Sequence, residues 1–163
     1  MLVVADTSAL LALASCNNLF LLNALFREIR VPPAVFQECT VAGKPEAERL
    51  TDYLRDKVLA VADLSDFVIA AMGLGRGELE AMALYKRLRA DVLLLDDSRA
   101  RKIACLNDIE VIGSLGVLLL AKSNNLLRAI KPSVNSIQAA GVYLSESLVA
   151  EALRLAGEIE GSS

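Results

Sequence analysis

Histidine is absent from the 163 residues, and this narrows the available chemistry more than any other feature of the composition. Triads built on Ser-His-Asp or Cys-His are excluded, as is every zinc site that relies on imidazole. Acid–base or metal chemistry is left to Asp, Glu, Lys, Tyr, Cys and bound water. Tryptophan is also absent and aromatic residues make up only 4% of the chain. That scarcity argues against recognition of nucleic-acid bases by stacking on aromatic platforms. Cysteine is limited to Cys16, Cys39 and Cys105, an odd number without CxxC spacing. The three read as small buried thiols in a reducing cytoplasm, and neither as disulfides nor as a metal cluster. An excess of basic residues is missing as well, with 17 Lys and Arg against 20 Asp and Glu and a net charge of −3. The chain therefore lacks the overall basic signature of many nucleic-acid binders. No run serves convincingly as a membrane span. Residues 7–26 carry no charge, but Asn17, Asn18 and Asn23 interrupt them, and no Lys or Arg precedes Arg27 to make a signal peptide. Two buried helices joined at residues 15–18 fit this stretch better. A cytoplasmic protein with no membrane partner is expected.

What the chain does have is aliphatic residues. The apolar fraction is 55% and the mean hydropathy +0.47, enough to bury a substantial core within one 17.4 kDa unit. Short apolar runs at residues 2–5, 58–61, 91–95 and 110–112 read as strands. Helical patterns occupy residues 9–14, 19–29, 34–40, 45–57, 78–89, a basic stretch after Ser98, and 114–121. The apolar stretch 66–72 fits either element. Strands alternating with helices predict an α/β fold whose central parallel sheet is covered on both faces. Beyond Lys122 the pattern is all helical, at about 126–140 and 145–157, with an irregular tail at 161–163. The chain thus divides into residues 1–122, an α/β domain, and residues 123–163, a helical extension packed on the same domain. That hairpin has no strand to cover and offers a surface for a partner or a second copy.

In parallel α/β sheets, ligands bind beyond the carboxyl ends of the strands. Asp6 stands there after Leu2-Val3-Val4-Ala5, and Asp96-Asp97 stand there after Leu93-Leu94-Leu95. One acid after a strand is also a good turn residue and helix cap. Two adjacent acids exceed what a cap needs, and their repulsion points to a cation. Glu38 lies in a helix beside Val35 and Phe36, where solvent exposure is the default. Glu78 opens a helix, where the helix dipole favours any carboxylate. Gly73-Leu74-Gly75-Arg76-Gly77, just before it, does not have the spacing of a phosphate-binding loop. Its use is to bring backbone close to a ligand or to a neighbouring helix.

Ala5-Asp6-Thr7-Ser8-Ala9-Leu10 resembles the opening motif of PIN domains, the ribonuclease fold of VapC-type toxins. Val31-Pro32-x-x-Val35-x-x-Glu38 resembles their second acidic motif. Gly75-Arg76-Gly77-Glu78-x-Glu80-Ala81 and Leu94-Leu95-Asp96-Asp97-x-x-Ala100-Arg101 resemble the third and fourth motifs of a bacterial and archaeal PIN-like branch. The tail is similar too, through Gly113-x-x-Gly116-x-Leu118-Leu119-x-Ala121-Lys122 and Ala140-Gly141-x-x-Leu144-Ser145. The resemblance implies a PIN-like three-layer α/β/α fold with a C-terminal helical hairpin. It implies a metal-dependent endoribonuclease using Mg²⁺ or Mn²⁺, and a toxin partnered by a small antitoxin. Carried over by position, Asp6, Glu38, Glu78 and either Asp96 or Asp97 form the catalytic acids. Of these, Asp6, Glu78, Asp96 and Asp97 are the expected metal ligands. The chemistry agrees, since hard cations take oxygen ligands and clustered carboxylates repel until a cation neutralises them.

Thr7, Ser8 and Ser98 supply hydroxyls that would orient water or a carboxylate. Arg76, Arg99 and Arg101, nearest the acids, are the candidates for RNA phosphates; Lys86, Arg87 and Arg89 fit a solvated helix end. Many PIN toxins carry Asp at the third position, where this chain has Glu78. Glu80, two residues further along the helix, turns away from the same face. A phosphoacceptor receiver domain would also present an acid pair, but after its first strand and with a late strand-end Lys, which this chain lacks. A PIN-like scaffold that binds RNA or protein without cutting is the other alternative, and the Leu-rich helices are compatible with a homodimer.

Overall fold

The structure is a computed structural model that describes residues 1–61, 64 and 73–159. The stretch 66–72 and the tail 161–163 lie outside the described residues. In chain order the elements are β1 (Leu2–Ala5), α1 (Thr7–Ser15), α2 (Phe20–Leu25), β2 (Glu28–Arg30), α3 (Pro33–Cys39), α4 (Ala47–Leu54) and α5 (Arg76–Leu88). They continue with β3 (Val92–Leu94), α6 (Ser98–Leu106), β4 (Val111–Ile112), α7 (Ser114–Ser123), α8 (Lys131–Ala139) and α9 (Glu146–Leu155).

Four parallel strands form one sheet in the order β2-β1-β3-β4, flanked by helices. This is the expected three-layer α/β/α arrangement. β1 and β3 are buried almost throughout, because their short apolar runs have helices on both faces. The chain leaves β1 toward β2 on one side and returns to β3 on the other, so the strand order reverses between β1 and β3. Crevices form beyond the carboxyl ends of strands at such a switch. Register places the crevice: Val4 pairs with Leu93 and Ala5 with Leu94, and the Asp6 N–H donates to Leu94 O at 2.9 Å. Asp6 and Asp96 therefore leave the sheet side by side.

Two strand assignments change. Residues 28 and 29 were expected at the end of a helix running from 19 to 29, but α2 stops at Leu25 and Phe26 is extended. β2 follows, with Ile29 buried between outward Glu28 and Arg30, whose side chains pair at 2.7 Å. A period of two and pairing to β1 override the helical pattern. Residues 58–61, expected to form a strand, contribute a single parallel bridge from Val58 to Val31. Leu59 and Ala60 are exposed, so the segment lacks the two covered faces that hold β1 and β3.

The helix expected over 126–140 is shorter, because Pro132 belongs to the first turn of α8. Ile130 just before α8, Val134 and Ile137 from α8 and Ala152 from α9 join the same hydrophobic core as the sheet. The C-terminal segment is fastened by charge as well. Lys122 Nζ donates to Ala156 O at 2.5 Å and meets Glu158 Oε2 at 3.2 Å, while Glu158 accepts the N–H groups of Ile130 and Lys131. The cysteines are free, as expected, but only Cys39 is buried; Cys16 is half-buried and Cys105 lies on the outer face of α6. Among the described residues no helix is long and apolar enough to cross a membrane.

Candidate active site

Asp6 occupies the N-cap position of α1, yet its side chain makes no capping hydrogen bond. It is only 3% exposed, its Oδ1 has no hydrogen-bond partner, and Oδ2 receives a long contact of 3.4 Å from the Ser8 hydroxyl. Burial pushes its pKa from 3.8 up to about 7. The charges of Glu78 and Glu38 add to the rise, and the nearby Thr7 and Ser8 backbone counters only part of it. A carboxylate used as a helix cap would be held below its ordinary value; Asp6 behaves as an acid kept free for something else.

The other two acids reach the same place from different helices. Pro32 and Pro33 fix the start of α3, and Glu38 projects from its last turn. The Thr7 hydroxyl donates to Glu38 Oε2 at 2.6 Å and the Gly77 N–H to Glu38 Oε1 at 3.2 Å. Glycine at 77 leaves room for this approach, since a Cβ there would sit 2.7 Å from both Glu38 carboxylate oxygens and would push them aside. The Gly-rich turn does bring backbone close to a neighbouring helix, and the group it admits is a carboxylate. Glu78, on the first turn of α5, accepts the Gly75 N–H through Oε2 at 2.9 Å. Asp6, Thr7, Ser8, Leu11, Glu38, Gly75, Gly77 and Glu78 together line a cleft of about 230 Å³. A larger hollow of about 480 Å³, between the α1–α2 connection and α4, has Asp52 as its one acid. Asp52 is already paired with Arg55 at 2.9 Å, so the acidic chemistry lies in the smaller cleft.

The acid pair after β3 divides. Asp97 caps α6, accepting the Ala100 N–H at 2.8 Å. Asp96 turns to the start of α7, where the Ser114 N–H donates to Oδ1 and the Ser114 hydroxyl to Oδ2, each at 2.7 Å. Neither lines the cleft around Asp6. Ser98 is exposed in the first turn of α6, also outside the cleft lining. Arg76 pairs with Glu80 at 3.1 Å with its own side chain 79% exposed, and Arg99 packs over Gly73. Arg101 Nη1 approaches Gly113 on the Asp96 side.

The chain fits a PIN-domain family model over residues 2–158. It belongs to the PIN-domain family. No curated protein and no solved structure matches it. PIN domains have a nuclease-like fold and are generally nucleases that use divalent metals. In this PIN domain the donor set suits such an ion: a carboxylate with an unpartnered oxygen, raised in pKa by burial first and by two neighbouring acids second, is what a hard cation relieves. Among the described residues no three acids already stand in a chelating arrangement. Like charges have separated, and Glu38 and Glu78 have each found a backbone N–H. Their carboxylate oxygens keep lone pairs with which to accept a cation.

The sequence pattern singled out every acid of this cleft, but not the job of Glu80. Glu80 is 7% exposed and accepts the Ala34 N–H through Oε2 at 2.9 Å. It does turn away from the Glu78 face, as helical spacing predicts. What it turns toward is α3, and a Pro-Pro helix start without a side-chain cap of its own was the available sign.

Proposed function

We propose that this PIN domain is a metal-dependent endoribonuclease whose reactive centre is the cleft of Asp6, Glu38 and Glu78, with Mg²⁺ or Mn²⁺ as the ion. The observation that carries the reading is Asp6, an almost fully buried acid with one oxygen unpartnered and two more carboxylates at its side. A bound divalent ion would supply a water of lowered pKa and neutralise charge on the reacting phosphate.

The residues of the chain do the rest. Asp6, Glu38 and Glu78 hold the ion, and the Thr7 hydroxyl fixes the orientation of Glu38. Ser8 is placed to steady Asp6. Asp96 ties the end of β3 to the start of α7 through Ser114, outside the cleft lining. Arg76, with most of its side chain in solvent, stands at the start of α5 beside the acids and is positioned to meet RNA phosphates. Arg99 and Arg101 extend that basic edge along α6. Without such cations an acidic cleft would repel its polyanionic substrate.

Titration of Mg²⁺ and Mn²⁺ against mixed RNAs tests the reading, with wild type compared with Asp6→Asn and Asp96→Asn. Metal-dependent cleavage is expected from wild type, with a loss of at least about 100-fold in Asp6→Asn. The Asp96→Asn loss should be smaller, because Asn keeps an acceptor for Ser114. Cleavage unchanged by Asp6→Asn would remove the assigned centre. Absence of cleavage with every RNA and both ions would favour a scaffold that binds without cutting. The toxin role adds its own expectation: growth arrest on expression without its antitoxin, relieved by Asp6→Asn.

A further inference from the structure

Glu80 is a second buried acid, outside the cleft, and the ion-holding chemistry does not use it. Its burial needs a reason, because a carboxylate removed from water is costly unless it is paired and hydrogen-bonded. It has two partners. Arg76 Nε meets Oε1 at 3.1 Å from the preceding turn of α5, and the Ala34 N–H donates to Oε2 at 2.9 Å from α3. Ala34 follows two prolines, neither of which has an N–H or a side-chain oxygen to offer. Its N–H is the first one that α3 presents, and Pro32 cannot cap it. A residue 46 positions later in the sequence does so instead.

The consequence follows from helical spacing. Ala34 and Glu38 are four residues apart on α3, and Gly77 and Glu80 three apart on α5, so each pair lies along one helix face. The two helices are joined at two rungs. In one, a carboxylate of α5 accepts an N–H of α3. In the other, an N–H of α5 donates to a carboxylate of α3. A single rung would let α3 pivot or slide; two fix its height along α5. The Glu38 carboxylate is at the end of that lever, beside Asp6.

We propose that Glu80 is a positioning residue that caps α3 from α5 and thereby holds Glu38 at the height the metal cleft requires. This rests on the proposed metal-binding role of that cleft. Glu80 touches neither ion nor RNA; its effect on the ion passes through Glu38, and its pair with Arg76 is a separate contact.

The test is Mn²⁺ uptake without RNA, read from the paramagnetic resonance of the free ion, on the full chain. Glu80→Ala is expected to weaken Mn²⁺ binding by about 10–100-fold, the usual scale for a residue that orients a ligand. Glu80→Gln keeps an oxygen for Ala34 and should stay within a few-fold of wild type. In a Glu38→Gln background, Glu80→Ala should add almost nothing, because its effect passes through Glu38. Independent, multiplying losses in that double mutant would overturn the proposal, as would wild-type affinity in Glu80→Ala. If Glu80→Ala does not fold, Glu80→Asp, which withdraws the carboxylate by one methylene, takes its place in the same cycle. Mn²⁺ uptake that falls with Glu38→Gln but not with either Glu80 variant removes this inference alone. No Mn²⁺ uptake by wild type removes the metal cleft and the inference together.

Discussion

At the scale of single residues, Asp6 has opposite consequences for chemistry and for stability. Its folded-state pKa of about 7 lies above the ordinary 3.8, so the folded protein holds a proton there that the unfolded chain has released. Stability therefore falls as pH rises from about 4 to about 7 and is level beyond, by an upper bound of roughly 4 kcal/mol. Asp6→Asn removes that penalty. In metal-free buffer the variant should melt above wild type at pH 8, with little difference at pH 3.5, where Asp6 is protonated in the unfolded chain as well as in the folded one. An equal difference at both pH values in calorimetry would show that Asp6 is not the strained group. Added Mn²⁺ should raise the melting temperature of wild type and leave the variant almost unmoved.

The position of Asp6 was readable in the sequence, because an apolar run ending in an acid marks the end of a buried strand. Its freedom was not. Whether an acid at an N-cap position bonds the helix or faces a cleft depends on side-chain direction and on what packs above it, and here that is Glu38 and Glu78 from two other helices. The acids at 96 and 97 illustrate the same limit: one is a cap and the other an anchor for Ser114, a distinction set by α7, which starts 18 residues after Asp96.

At the scale of elements, the α3–α5 contact decides where the cleft closes. Gly77→Ala places a methyl group against the Glu38 carboxylate, with Oε1 and Oε2 both at 2.7 Å from the new Cβ. The carboxylate has to move, and the Gly77 rung is lost with it. The expected result is a fall in Mn²⁺ affinity, with stability by denaturant titration staying within about 1 kcal/mol of wild type because the helix preference of alanine offsets the displaced carboxylate. Unchanged affinity in a stably folded Gly77→Ala would mean that Glu38 is not held by this contact.

Elements were legible where one period dominated: β1 and β3 as unbroken apolar runs, α5 from its Gly-rich start and its apolar face. β2 was hidden because Ile29 between two charges is also compatible with the end of a helix, and only pairing with β1 distinguishes the two. The late start of α8 was written in Pro132, but an apolar pattern on both sides of the proline masked it. Residues 58–61 failed as a strand for lack of burial, which no local pattern encodes.

At the scale of the molecule, the C-terminal helices are tied to the sheet domain by Lys122 and Glu158. Burial raises the Glu158 pKa, but the Ile130 and Lys131 N–H groups and Lys122 outweigh it, so the group ends below its ordinary value. Its contribution to stability is therefore complete above about pH 4.5 and lost as pH falls through the depressed folded value. Glu158→Gln should speed hydrogen exchange in α9 and the first turn of α8, leaving β1 and β3 protected. Uniform loss of protection would mean that the tail and the sheet open as one unit. We propose that the exposed Tyr143, Leu148, Leu155 and Ile159 of this tail supply a homodimer contact. Light scattering should then give twice the 17.4 kDa chain mass, and Leu148→Glu with Leu155→Glu should return it to the monomer.

The three carboxylates of the cleft stand at positions 6, 38 and 78, and β3, the strand that pairs with β1 and accepts the Asp6 N–H, begins only at Val92. During synthesis the ribosome therefore releases the first two acids long before the third, and all three before the strand that holds the end of β1. If the proposed cleavage takes place, it has to await chain growth past β3, because until then the acids lack the sheet that sets Asp6 in place.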